Sequence, residues 1–95
     1  MFTVYILCSK KTDRLYIGFT RNLIKRLQFH NSGLNKSTKF GIPWEIVYIE
    51  EYVHLKQATQ RERFLKRQRN RIFYNKLIQS YRSGSDAPST RGLGA

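Results

Sequence analysis

Phe2-Thr3-Val4-Tyr5-Ile6-Leu7-Cys8-Ser9 and Leu15-Tyr16-Ile17-Gly18-Phe19-Thr20, parted by Lys10 to Arg14, decide how this chain is read. Both stretches are rich in β-branched and aromatic residues, and the segment between them has the polar composition of a turn, so the pair reads as a β-hairpin. An even-numbered connection, such as Lys10 to Asp13, places Tyr5 and Tyr16 on one face of the sheet; an odd one separates them.

Downstream, Thr20 or Asn22 can cap a helix with apolar Leu23, Ile24 and Leu27, and Asn31-Ser32-Gly33 ends it in the manner of a left-handed cap. Arg26 and His30 lie four apart and share one side of that helix, beside the Leu23 and Leu27 stripe. Leu34 to Pro43 is polar, basic and broken by Gly41 and Pro43, hence a loop. Trp44 to Val53 is a third strand, with Trp44, Ile46 and Tyr48 on one alternating set and Val47 and Ile49 on the other. Apolar on both sets, it suits the middle of a sheet. From His54 no Gly or Pro occurs until Gly84. Ala58, Leu65 and Ile72 recur every seven residues there, a helical stripe against the sheet. Whether Leu55 to Ser83 forms one helix or two with a bend near Asn70 is left open by the pattern.

The chain has 95 residues, enough for one domain with a thin core. The folding unit is expected over residues 1–82, followed by a flexible tail over 83–95 made of Ser, Gly, Pro and Ala with little to bury. Eighteen Lys and Arg face six Asp and Glu, a net charge of +12. A polyanion is the natural partner, nucleic acid or an acidic membrane surface. The basic residues crowd Leu55 to Arg82 against a single acid, Glu62. Lys36 and Lys39 in the loop, with Arg61, Lys66, Arg67 and Arg69 in the helical segment, are the expected phosphate contacts. Cys8 has no second cysteine to pair with, which points to a reducing setting. The opening apolar run meets Lys10 and Lys11 too soon for a signal peptide or a membrane span. A soluble cytoplasmic protein is the expectation.

These residues resemble the GIY-YIG nuclease superfamily, and within it the small stand-alone bacterial proteins similar to the nuclease domain of nucleotide-excision-repair enzymes. Thr3-Val4-Tyr5 matches the first motif and Tyr16-Ile17-Gly18 the second. Asn22-Leu23, Arg26 and His30-Asn31-Ser32-Gly33 continue the match, followed by Pro43-Trp44, Val47-Tyr48, Ala58, Arg61-Glu62 and Leu65-Lys66. Thr3 and Val4 replace the Gly and Ile of the first motif, and Phe19 follows Gly18 where many relatives carry a small or polar residue. The carboxy-terminal Asn of some relatives finds only Asn70 and Asn75 as counterparts.

The resemblance implies an α/β (α+β) domain with a three-stranded antiparallel sheet flanked by helices. It also implies a divalent-metal-dependent endonuclease that hydrolyses DNA phosphodiester bonds with Mg2+ or Mn2+, in DNA repair or recombination. In the roles it implies, Tyr5 and Tyr16 are the motif tyrosines, one of them activating or orienting water. Arg26 stabilises the phosphoryl charge and Glu62 carries the metal. His30 is an alternative proton acceptor or a phosphate contact.

The residue types suit that chemistry. A guanidinium fork matches phosphate oxygens, and Mg2+ takes only one or two protein carboxylates, completing its shell with water and phosphate. A tyrosine base needs surroundings that favour phenolate, and the dense cationic charge pushes that way. Glu62 is also, most simply, an intrahelical partner for Lys66. Trp44 belongs in the core rather than on a base-stacking platform. The alternative function is a non-catalytic nucleic-acid-binding module on the same fold; a binder of acidic lipid or the ribosomal surface rests on charge alone. So short a chain has little material to read bases in a groove, so a protein partner would supply specificity.

Overall fold

A computed structural model describes residues 1–83 of the chain. The elements run β1 (Phe2–Ser9), β2 (Leu15–Thr20), α1 (Leu23–Ser32), a 3-10 turn (Lys39–Gly41), β3 (Trp44–Tyr52), α2 (Leu55–Gln68) and α3 (Arg71–Ser83). The three strands form an antiparallel sheet in the order β2-β1-β3. This is the expected α+β architecture. Residues of the expected tail beyond Ser83 lie outside the described residues, and Ser83 itself closes α3.

The hairpin forms as its composition predicts. Ser9 N–H donates to the Arg14 carbonyl at 2.8 Å, enclosing a four-residue loop from Lys10 to Asp13. Tyr5 pairs with Gly18 and Leu7 with Tyr16, so both tyrosines point to the same face. Leu23, Leu27, Leu7, Trp44, Ile46 and Ile49 fill that face beneath α1. The opposite face carries Val4, Ile6, Ile17, Val47 and Tyr48 against Ala58 and Leu65 of α2 and Tyr74 and Ile78 of α3. Each such apolar side chain, once buried, contributes about 1.5–3 kcal/mol against leaving it in water.

Four sequence expectations are corrected. β3 is an edge strand, and β1 holds the middle with Thr3 to Leu7 buried. β3 is apolar on both sides because α1 covers one face and α3 the other. Its alternation is also rephased. Ile6 pairs with Tyr48 but Leu7 with Ile46, so Val47 is an extra, bulged residue that puts Val47 and Tyr48 on one face. Leu55 to Ser83 is two helices, interrupted at Arg69, whose φ of 45° and ψ of 41° are left-handed. The seven-residue stripe therefore ends at Leu65, and Ile72, 68% exposed, belongs to a new helix with its own inward face. Ile24 on α1 likewise faces solvent rather than the core.

Helix ends are set by side chains. Asn22 caps α1 by accepting from Lys25 N–H at 3.1 Å, and Gly33 closes it at φ 85°. Asn70, one of the two counterparts for the family's carboxy-terminal Asn, caps α3 by accepting from the N–H groups of Ile72 and Phe73. Asn75, the other, is exposed and accepts from Arg71 Nε.

Glu50 keeps 3% of its surface exposed, whereas Glu45 and Glu51 on the same strand face solvent. Tyr48 and Tyr52, two residues away on either side, donate their hydroxyls to it, and Arg61 of α2 clasps both its oxygens at 2.9 Å. These donors outweigh burial and hold the Glu50 carboxyl below its ordinary range. Among the described residues, the clasp is the one hydrogen-bonded or ionic link from α2 to the sheet. Glu50→Gln leaves the guanidinium without a counter-charge and is expected to cost about 3 kcal/mol in urea unfolding, with the far-UV spectrum retained at low denaturant.

Candidate active site

A cleft of about 750 Å3 opens along the edge strand β2. Phe2, Tyr5, Tyr16, Gly18, Phe19, Thr20, Arg21, Asn22, Arg26, Leu55 and Glu62 line it. Four of the five expected catalytic residues therefore share one wall system, although they come from β1, β2, α1 and α2. The fifth, His30, lies beneath it.

Tyr5 is placed by a missing side chain. Its ring crosses Gly18, its cross-strand partner, and a Cβ built there would stand 2.6 Å from the Tyr5 hydroxyl oxygen. Only glycine lets the phenol reach the cleft floor along this path. Tyr16, half-buried, packs tilted against the His30 ring, 4.7 Å centroid to centroid with the planes at 58°, and Phe19 does bring an apolar ring to the cleft.

His30 has no exposed surface. Its Nε2 lies 3.2 Å from the Tyr5 hydroxyl and its Nδ1 3.0 Å from Thr38 Oγ1. Burial and the nearby Arg26 hold its pKa below the ordinary value. The ring is thus neutral at neutral pH. Burial also pushes the Tyr5 phenol far up, with Tyr16 and Glu62 adding to the shift and Arg26 opposing it. The expected push of cationic charge toward phenolate is present at Tyr5 through Arg26, but loss of solvent outweighs that one guanidinium. With the phenol protonated, Tyr5 donates to Nε2, and the tautomer carrying hydrogen on Nδ1 satisfies Thr38. Direct phosphate contact by His30 does not fit its burial.

Arg26 is exposed at the cleft. Its guanidinium carbon stands 5.9 Å from the Phe29 ring centre, and among the described residues its fork meets no hydrogen-bond acceptor. Glu62 pairs with Lys66 through Oε2 at 3.1 Å, and its side chain keeps 17% of its surface exposed toward the cleft. Its second oxygen has no hydrogen bond among the described residues. Both readings of Glu62 hold together, as partner of Lys66 and as the acid of the cleft.

The expected phosphate contacts divide. Lys36 and Lys39 are exposed on the segment between α1 and β3, away from the cleft lining. Arg61 is committed to Glu50 and so departs from the expectation. Lys66 is half exposed beside Glu62, Arg67 is exposed, and Arg69 is exposed at the break between α2 and α3.

Residues 1–90 match the family described as the GIY-YIG catalytic domain. The chain belongs to this family. UPF0213 proteins are among its relatives. One from Syntrophus aciditrophicus is 46% identical over 67 residues, 67% of this chain and 75% of that protein. One from Clostridium perfringens is 40% identical over 65 residues, covering 67% and 69%, and one from Oceanobacillus iheyensis 38% over 64 residues, covering 66% and 73%. No solved structure matches the chain. GIY-YIG is a nuclease family, and nucleic acid is the substrate class that follows.

Within the GIY-YIG frame, the departures at Thr3 and Val4 leave the cleft untouched. Val4 is in the α2/α3 core and Thr3 pairs with Thr20, neither lining the cleft. Sequence reasoning missed Thr38, which is buried and holds the far side of His30. It named Asn31 only as part of the helix end and the motif, and missed that its amide brackets the Trp44 backbone by accepting from its N–H and donating to its carbonyl. It also missed Glu50, although an acid flanked at ±2 by tyrosines on a strand was a signal. Trp44 is core, 4% exposed, its indole N–H donating to Thr38 O at 2.7 Å.

Gly18→Ala forces the Tyr5 ring aside and is expected to cost about 1–3 kcal/mol in denaturant unfolding, with the near-UV tyrosine signal altered. The depressed His30 pKa gives a pH signature. The folded state resists protonation that the unfolded chain accepts, so stability is level well above the ordinary value of 6.5 and falls as pH drops below it. Unfolding free energies measured from about pH 7.5 down to about pH 5.5 should decline in the wild type and lose most of that decline in His30→Gln.

Proposed function

We propose that the chain is a divalent-metal-dependent endonuclease that hydrolyses DNA phosphodiester bonds in the cleft between β2, α1 and α2. The observation that carries the reading is the joint lining of one cleft by Tyr5, Tyr16, Arg26 and Glu62. Each supplies a group that phosphodiester hydrolysis needs, and four elements converge to bring them together.

The donor set suits a hard cation held jointly with substrate. Among the described residues no three His, Cys, Asp or Glu side chains gather as a metal cage. Glu62 offers one cleft-facing carboxylate, the protein share typical of Mg2+, which draws remaining ligands from water and phosphate. When bound there, Mg2+ or Mn2+ would polarise the phosphoryl group and offset its charge.

The side chains account for the rest. The open fork of Arg26 fits two phosphoryl oxygens and stabilises charge as it builds. Tyr5, His30 and Thr38 form a proton path. A water against the Tyr5 oxygen gives its proton to Tyr5 as Tyr5 passes its own to His30 Nε2, and Thr38 accepts the Nδ1–H. The water becomes hydroxide and the imidazole becomes imidazolium, so no free phenolate is required despite the raised phenol pKa. Tyr16, on the cleft side of His30, orients the attacking water. So short a chain has little material to read bases in a groove. Choice of site then falls to substrate shape or to a protein partner, as suits repair or recombination.

Plasmid nicking with Mg2+ or Mn2+ tests the reading. Arg26→Ala and Glu62→Gln should each lower the rate by about 10²–10³, and Tyr5→Phe by at least as much because it cuts the proton path. Equal rates in wild type and all three variants would remove the enzyme claim. Salt-sensitive binding with no product, unaffected by EDTA, would assign the fold to binding alone.

A further inference from the structure

A second basic depression, of about 260 Å3, lies at the junction of α2 and α3. Arg14, Leu15, Arg69, Asn70, Arg71 and Tyr74 line it. Three guanidiniums around so small a hollow need anionic company, and the protein provides only part of it. Arg71 is pinned to the hairpin loop, donating to the Asp13 carbonyl at 2.8 Å and its carboxylate at 3.2 Å. Arg14 has only the Phe40 ring face, 5.4 Å from its guanidinium carbon, and the Arg69 side chain has no partner among the described residues.

The backbone at Arg69 adds an independent argument. Helix ends in the left-handed region usually carry Gly or Asn, because a Cβ is disfavoured there. Arg69 occupies that region at φ 45°, held by its N–H donating to the Tyr74 hydroxyl, which in turn donates to Leu65 O. Glycine would close α2 with less strain. An arginine there forgoes that relief and sets a guanidinium at the junction of α2 and α3.

The hollow is also in line with the cleft. α2 lies against β2, Glu62 and Lys66 lie at i and i+4 on one face of α2, and Arg69 directly follows the end of that helix. Glu62 to Arg69 spans about 10 Å along α2, the axial rise of about three nucleotides on one strand of a duplex. We propose that this three-arginine hollow is a second phosphate subsite, which takes a backbone phosphodiester of the same strand whose scissile phosphate occupies the cleft. The inference rests on the nuclease reading of that cleft.

Binding of a short fluorescein-labelled DNA duplex, followed by anisotropy in EDTA across a salt series, tests it without cleavage. Arg69→Gly and Arg14→Ala should each weaken binding about 5–10-fold at low salt and reduce the log–log salt slope by about 0.9. Arg69→Gly should do so with an unchanged or raised melting temperature, which separates lost contact from lost fold. Lys76→Ala, an exposed α3 lysine outside the hollow, should change affinity by less than about twofold. An unaltered slope in Arg69→Gly and Arg14→Ala, or an equal loss in Lys76→Ala, overturns the subsite and leaves the nuclease reading standing. Failure of the wild type to bind at low salt would overturn that reading as well.

Discussion

Arg61 and Glu62 are neighbours on α2 that answer to different surfaces, and the site depends on the bond that Arg61 makes. Its guanidinium reaches across to Glu50 on edge strand β3, while the next side chain, about 100° further around the helix, faces the cleft at the opposite edge. Apolar packing of Ala58 and Leu65 fixes how close α2 sits to the sheet but is tolerant of small rotations. A planar fork on a carboxylate is not. The clasp therefore sets the helix rotation that aims Glu62, and two tyrosine hydroxyls saturate Glu50 so that its charge survives burial.

The hairpin and the first helix were legible because they rest on local rules. Turn length sets which strand residues share a face, and Asn22 and Gly33 are capping residues in capping places. The third strand was legible as a strand but not in its place or phase. Its order in the sheet is decided by long-range pairing, and one bulged residue, Val47, reverses the alternation beyond it. The Ala58, Leu65 and Ile72 spacing failed for a comparable reason. A single left-handed residue, Arg69, resets the helix axis, and intrinsic preference gives no warning that an arginine will adopt that conformation. Of the cleft, Tyr5, Tyr16, Arg26 and Glu62 were visible through motif spacing, whereas Thr38 was not. It lies in a segment with no periodicity, and its importance comes from contact with a buried ring.

The large positive charge sorts by geometry into different tasks. Arg61 is consumed within the fold and Arg71 ties α3 to the hairpin loop, so neither adds a free charge to the surface. Arg26 stands in the cleft, and Arg14 and Arg69 stand around the far hollow with aromatic or no company. Composition alone counts these as equivalent. A phosphate meets only those whose donors are still unspent.

The two faces of the sheet also divide the molecule's needs. Between the sheet and the α2/α3 pair the core is apolar apart from Glu50, whose charge Tyr48, Tyr52 and Arg61 satisfy. Beneath α1 it contains Tyr5, His30 and Thr38, each less than 2% exposed, and among the described residues every buried side-chain nitrogen or oxygen has a hydrogen-bond partner. A chain this short cannot keep a separate reactive layer above a complete core, so its proton-handling groups serve as core on one side. Their bonds hold the site in one arrangement only while all three are present, because a buried donor or acceptor left alone costs more than the bond it made contributes. Substitution within that trio therefore acts on folding and on chemistry together, whereas substitution at Arg26, exposed on the helix above, acts on chemistry with the core intact.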